Sequence, residues 1–322
     1  MAVYTPVDRK ALQIFVSEYA IGPVVVCVGI AEGRENTNFR LTTGEGVYIL
    51  TLFEKRTGES DLPFFLGLMD HLAGKGVPCP VPVRRKDGGV LGRLCGKPAA
   101  IVTFMDGDWP RHPTAGQCRA LGRALGELHL AGLDFPQARP DALGADAWRN
   151  MLDACEGRGD SVVAGLTEEL TLDLTILERD WPRGLPAGVV HGDLFPDNVF
   201  FRDGAISGII DFYFAGTNAL AYDLAVCLNA WCFDAKGAFD ADKGRAMLAG
   251  YRDARPLDED EVRALPMLAR GAAMRFLLTR LFDWLNAPAG GDAPPKDPRE
   301  YLRILRFHRA VADARDYGWE GP

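Results

Sequence analysis

A chain of 322 residues, 48% hydrophobic and 25% charged, has the composition of a folded globular protein and the length for two lobes. A net charge of −8 with no block of Lys or Arg argues against a nucleic-acid or anionic-membrane partner. The longest apolar run, Pro23 to Ala31, is too short to span a bilayer, and MAVYTPVDRK lacks the basic-then-apolar order of a signal peptide, so the reading is cytoplasmic. Seven Cys without a C-x-x-C pair read as buried thiols in a reducing compartment, not as a disulfide framework or a zinc site.

In chain order, Asp8 to Tyr19 has the spacing of an amphipathic helix and Val24 to Ile30 that of a strand. A polar loop, AEGRENTN, leads to a hairpin of Phe39 to Thr42 and Val47 to Phe53 about Gly44-Glu-Gly46. Phe64 to Leu72 reads as a helix closed by Gly74 and Gly76, Gly88-Gly89 as a turn between strands, and Ala99 to Met105 as a buried strand. After Met105 helical spacing dominates: 115–129, 148–155, 165–179, 219–232, 243–252, 258–286 in two pieces around Pro266, and 299–315 after a loop at 287–298. The exception is Val189 to Asp211, two short strands joined at Arg202-Asp203-Gly204. This predicts an α+β layout: a small antiparallel β-sheet lobe over residues 1–105 and a larger, mainly helical lobe over 106–322 with one polar hairpin.

The stretch VVHGDLFPDNVFF sets one His, two Asp and one Asn in an apolar run, and buried carboxylates need partners. Asp193 and Asn198 lie five apart across a turn containing Pro196, and Asp211 closes the next apolar strand. An amide oxygen and a carboxylate, Asn198 and Asp211, make hard-oxygen ligands for Mg²⁺, while Asp193 is left to take a proton from an attacking hydroxyl. The bland alternative is a set of turn-capping Asx side chains. The order H-G-D-L-x-x-D-N and then I-I-D-F resembles the kinase set H-R-D-L-x-x-x-N and D-F-G. Gly192 replaces the Arg that reads a phosphorylated activation loop, no A-P-E follows, and Phe212-Tyr213 stands for Phe-Gly. The resemblance implies a protein-kinase-like two-lobe fold, with 1–105 the nucleotide-binding lobe and 106–322 the catalytic and substrate lobe, and the differences point to small-molecule acceptors. His191 reads as a brace of the catalytic turn more than a proton carrier.

An ATP site needs groups for phosphate and base. Gly33, Asn36, Thr37 and Asn38 lie where loop N–H groups reach phosphate oxygens, or are simple hairpin punctuation. The position of the phosphate-binding Lys holds Thr51, and the nearest base is Lys55, on the same strand face or merely on the surface. Thr103, Phe104 and Met105 lead out of the lobe as a hinge would, offering backbone groups to adenine.

The segments GRENTNFRL, YILTLFEKR, DLPFFLGLMDHLAGKGVPCPVPV, VVHGDLFPDNVFF, GIIDFYFAGTNALAYDLAVCLNAWCF, ARGAAMRFLLTRLFDWLN and PKDPREYLRILRFH together resemble the bacterial homoserine kinases of the aminoglycoside-phosphotransferase and choline-kinase-like family, over roughly Val3 to His308. The resemblance implies ATP and Mg²⁺ as cofactors, L-homoserine as acceptor in a step toward threonine, Asp193 as base, Asn198 and Asp211 as metal ligands, and Asp223 as a brace of the catalytic loop. It leaves oligomeric state open between monomer and homodimer. Another small alcohol (an aminoglycoside, choline or ethanolamine) or a degenerate nucleotide-binding regulator are the alternatives.

A zwitterionic acceptor asks for both charge signs. At 100° per residue Arg275, Thr279, Asp283 and Asn286 share one helix face, so Arg275 and Asp283 are candidates for carboxylate and ammonium, with Thr279 and Trp231 beside them. A solvated face and a core tryptophan are the competing readings. His129, ending an apolar helix, reads as a partly buried structural group.

Overall fold

A computed structural model describes residues 5–31, 36–54, 58–287 and 294–321. They form two compact units: Met1–Asp108 with Ser207–Tyr213, and Trp109–Ile206 with Phe214–Pro322.

In the first unit α1 (Arg9–Ser17) starts under an Asp8 cap whose carboxylate accepts from Lys10 N and Ala11 N. Strands β1 (Val24–Gly29), β2 (Thr37–Thr43) and β3 (Val47–Leu52) follow. Helix α2 (Leu62–Gly74) precedes β4 (Gly92–Leu94) and β5 (Lys97–Thr103). The strands make one antiparallel sheet in the order β1-β2-β3-β5-β4. Alternation decides its faces: Phe39, Leu41, Leu50, Leu52, Ala99 and Ile101 pack against Leu12, Phe15, Val16 and Tyr19 in a common core. The β4–β5 hairpin turns at Cys95-Gly96, both in the left-handed region at φ 53° and 77°. The expected turn, Gly88-Gly89, closes instead a loop in which Arg85 N donates to Gly89 O.

In the second unit α3 (Ala115–Gly132) begins with a capping box between Thr114 and Gln117. Helices α4 (Trp148–Asp153) and α5 (Leu166–Asp180) and strand β6 (Ala187–Val190) come next. The chain then enters β7 (Val199–Arg202) and turns at Asp203 and Gly204, with φ 53° and 82° as a two-residue type I′ turn requires, into β8 (Ala205–Ile209), whose last three residues belong to the first unit. Strand β9 (Gly216–Ala219) pairs with β6 and runs straight into α6 (Leu220–Trp231). Three helices complete it: α7 (Ala241–Ala254), α8 (Glu259–Asn286) and α9 (Pro298–His308).

Helix α8 is continuous through Pro266, where two pieces were expected. A proline there removes one helical hydrogen bond and crowds the carbonyl four residues back, a cost of about 3 kcal/mol. Burial of Ala264, Leu265, Leu268, Ala269 and Ala272 on both sides offsets it, and Asp258 and Glu261 cap the start. Helix α9 stops at His308, short of the expected end, and a 3₁₀ turn, Ala314–Tyr317, follows. Part of the loop expected at 287–298 lies outside the described residues. No described helix is long and apolar enough to cross a membrane.

Candidate active site

Strand β6 delivers the chain to His191, Gly192 and Asp193. The Asp223 carboxylate, in the first turn of α6, spans this turn from beneath: His191 N donates to Oδ2 at 2.6 Å and Gly192 N to Oδ1 at 2.9 Å. Burial alone would push the Asp223 carboxyl up, but the hydrogen bond of His129, the neighbouring His191 and the Gly192 N–H hold it below the usual range. His191 is fully buried, and its Nδ1 accepts from Asp193 N at 3.3 Å.

Gly192 has φ +75°, and a Cβ there would lie 3.1 Å from Phe214 O. Only glycine fits without strain, which explains its presence where protein kinases carry Arg. Its carbonyl accepts from Arg275 Nη1. On the far side of the turn, Trp231 Nε1 donates to Leu194 O at 2.8 Å.

Asn198, at the end of a 3₁₀ turn begun by Pro196, is brought to Asp193 as its spacing suggested. Its Nδ2 donates to Asp193 O at 2.8 Å and to Asp193 Oδ2 at 3.3 Å. With the amide nitrogen spent on Asp193, the oxygen is left as an acceptor, and an amide oxygen suits a hard cation such as Mg²⁺. Among the described residues no three His, Cys, Asp or Glu gather as a metal site. The donor set expected here, one amide and one carboxylate, is of a different kind.

Asp211 belongs to the first unit, half-buried at φ +66°. That conformation costs a non-glycine residue about 1–3 kcal/mol and recurs where a side chain must be aimed for function. Two residues on, Tyr213 packs edge-on against Phe53 and Phe65, ring centroids 5.3 and 5.9 Å away. Burial and the Asp211 carboxylate both raise its hydroxyl pKa, and Thr51 is its hydrogen-bonding neighbour.

The remaining nucleotide candidates divide. Gly33 and Lys55 lie outside the described residues. Asn36 and Thr37 are buried and serve the sheet's own end: Asn36 Oδ1 accepts from Glu54 N at 3.2 Å, and Thr37 Oγ1 donates to Glu54 Oε1 at 2.8 Å. Thr51 faces Asn38 across the β2–β3 ladder and donates to its Oδ1 at 2.8 Å. At the hinge, Thr103 Oγ1 accepts from Val81 N at 2.9 Å, Phe104 N donates to Val47 O, and Met105 fills the space a Cβ on Gly208 would need.

The sequence reading passed over Lys97, which pairs with Glu54 and donates to Thr5 Oγ1 at 2.6 Å beside Thr37. Burial alone would raise the Glu54 carboxyl, but hydrogen bonds from Lys97, Thr37 and Thr5 hold it below the usual range. The available signal was register: Lys97 and Glu54 continue the ladder in which Ala99 faces Leu52.

The acceptor stripe is not gathered into one pocket. Arg275 is 1% exposed and turned to Gly192, Thr279 Oγ1 bonds back to Phe276 O at 3.1 Å, Asp283 is half-buried, and Asn286 Oδ1 accepts from Arg158 Nη2 at 2.9 Å. Positions 275 and 283 are about 12 Å apart along the axis, whereas the ammonium and carboxylate of an α-amino acid share one carbon. Trp231 is likewise core, 1% exposed. His129 is fully buried, not partly, and its Nε2 meets Asp223 Oδ2 at 3.2 Å.

The profile of the phosphotransferase enzyme family, APH, matches residues 26–257. Homoserine kinase from Methylobacterium sp. (strain 4-46) is 59% identical over 319 residues, covering 99% of each chain, and that from Chelativorans sp. (strain BNC1) is 54% identical over 320 residues, again covering 99% of each. Among solved structures, amicoumacin kinase hAmiN in complex with AMP-PNP, Ca²⁺ and Ami matches with TM-score 0.72 at 15% identity over 95% of both chains. Spectinomycin phosphotransferase APH(9)-Ia, in complex with ADP and spectinomycin, matches with TM-score 0.69 at 12% identity over 98% of this chain and 99% of that one.

Proposed function

Because the chain belongs to the phosphotransferase enzyme family, we infer that it transfers the γ-phosphoryl group of ATP to the hydroxyl of L-homoserine, giving O-phospho-L-homoserine in threonine biosynthesis. The observation that carries the chemistry is the Asp193 carboxylate held by Asn198 Nδ2 on a turn that Asp223 clamps through two backbone N–H groups. The observation that selects the acceptor is the full-length likeness to homoserine kinases at 54–59% identity.

Asp193 accepts the proton of the attacking hydroxyl; a base so placed contributes about 10²–10⁴-fold. Asn198 fixes Asp193 Oδ2, and His191, through Nδ1 and its own anchored N–H, sets the backbone that aims the carboxylate. Arg275 braces the same turn through the Gly192 carbonyl. Asn198 and Asp211 are the ligands we assign to Mg²⁺, which when bound screens the charge of the phosphates. For the nucleotide we assign Asn38 and Thr51 and the hinge backbone at Thr103 to Met105, with Gly33 and Lys55 completing the set. Asn36 and Thr37 hold that end of the sheet. Seven cysteines, none in a disulfide, support a cytoplasmic setting.

A coupled ADP-release assay against homoserine, serine, choline, ethanolamine and kanamycin tests the assignment. Homoserine should give the highest kcat/KM. Preference for kanamycin or choline would replace the acceptor, and no ADP with any alcohol would leave a nucleotide-binding regulator.

A further inference from the structure

Behind the catalytic turn runs a chain of buried hydrogen bonds that the reaction does not itself require. Arg255 Nη1 donates to Tyr251 Oη at 3.0 Å, and Tyr251 Oη lies 2.8 Å from His129 Nδ1. His129 Nε2 lies 3.2 Å from Asp223 Oδ2, the oxygen that receives His191 N. Arg255 is in turn paired at 2.9 Å with Glu261, the buried capping residue of α8. His129, Asp223 and Tyr251 are each 0% exposed, so water cannot replace a missing partner.

The direction of the chain follows from donor chemistry. Arginine only donates, so the Tyr251 oxygen accepts and its one hydrogen goes to His129 Nδ1. His129 then carries its hydrogen on Nε2 and donates to Asp223, which is left as acceptor for the two N–H groups of the turn. Reversing any bond leaves a buried donor or acceptor unmatched.

Packing shows that the placement is built. Helices α3 and α7 meet through glycines: a Cβ on Gly122 would lie 2.1 Å from Met247 O, and one on Gly250 would lie 2.0 Å from Arg119 O. At Gly126 it would be 2.8 Å from Ala254 Cβ. Only such a close approach of the two backbones brings a tyrosine on α7 to a histidine on α3.

We propose that Tyr251 is a positioning residue for phosphoryl transfer: directed by Arg255, it fixes the orientation and tautomer of His129, and through Asp223 the shape of the turn that aims Asp193. This rests on the reading of Asp193 as base.

The test uses the full-length enzyme, with Tyr251→Phe, His129→Gln and the double variant. Tyr251→Phe keeps the ring and the glycine seam. It lowers kcat by about tenfold or more while KM for Mg·ATP and for homoserine stay near the parent values, because aim is lost and not binding. In the His129→Gln background the same change does nothing further, since the chain is already cut. A folded Tyr251→Phe enzyme with kcat within about twofold of the parent overturns the proposal, as does a double variant whose losses multiply. Should His129→Gln fail to fold, the kcat-against-KM split of Tyr251→Phe decides alone. A parent that hydrolyses ATP but ignores homoserine removes only the acceptor assignment, and the series is then read on ATP hydrolysis.

Discussion

Trp231 hydrogen-bonds the carbonyl of Leu194, the residue that follows Asp193, so the aim of the proposed base is set partly from inside the protein. Replacing Trp231 with Phe keeps an aromatic ring but strands a buried carbonyl, at a cost of about 1–3 kcal/mol. Urea unfolding should show that loss, and kcat should fall more than either KM.

Removing the carboxylate itself acts differently. Asp193→Ala should lower kcat by about 10²–10⁴-fold with little change in ATP affinity, because a base acts on the transition state. Isothermal titration with a non-hydrolysable nucleotide beside steady-state kinetics checks both halves. A comparable loss of nucleotide binding would mean that Asp193 has another role.

Asp173 on α5, 2% exposed, receives both Arg270 of α8 and Arg309 at the end of α9. Asp173→Ala leaves Arg270, 14% exposed, without its carboxylate while Arg309 keeps Glu169 at 2.7 Å, and should destabilise the protein by about 3 kcal/mol, visible as a lowered urea midpoint.

His308 gives the stability a pH slope. Burial, with the charge of Arg270, lowers its pKa from 6.5 to about 3, and its nitrogens engage Tyr317 Oη and Asn229 Oδ1, each at 2.7 Å. Below pH 6.5 the unfolded chain takes up a proton that the folded chain refuses until about pH 3. Stability is therefore complete above that window and falls within it as pH falls, by about 1.4 kcal/mol per unit from this group. Urea unfolding at pH 7 and pH 5 should show the decline, and His308→Gln should flatten it.

Much of this was open to reading in the sequence because the signals are local. Asp193 and Asn198 advertise themselves as polar residues in an apolar run five positions apart, and the alternation of β2 is regular. What escaped was long-range. Nothing near His129 announces Tyr251, 122 positions away, and Lys97 meets Glu54 only once the β3–β5 register is known. The helix stripe at Arg275 misled for a physical reason: a periodic polar face shows that something satisfies those groups, and for Arg275 that partner is the Gly192 carbonyl and not solvent. Pro266 misled because local propensity yields to burial on either side.

The clamp beneath Gly192 also bears on control. A loop held by an internal carboxylate, an indole and a guanidinium takes its shape from groups inside the protein. None of these three groups is a modifiable hydroxyl, so their hold on the loop does not depend on phosphorylation.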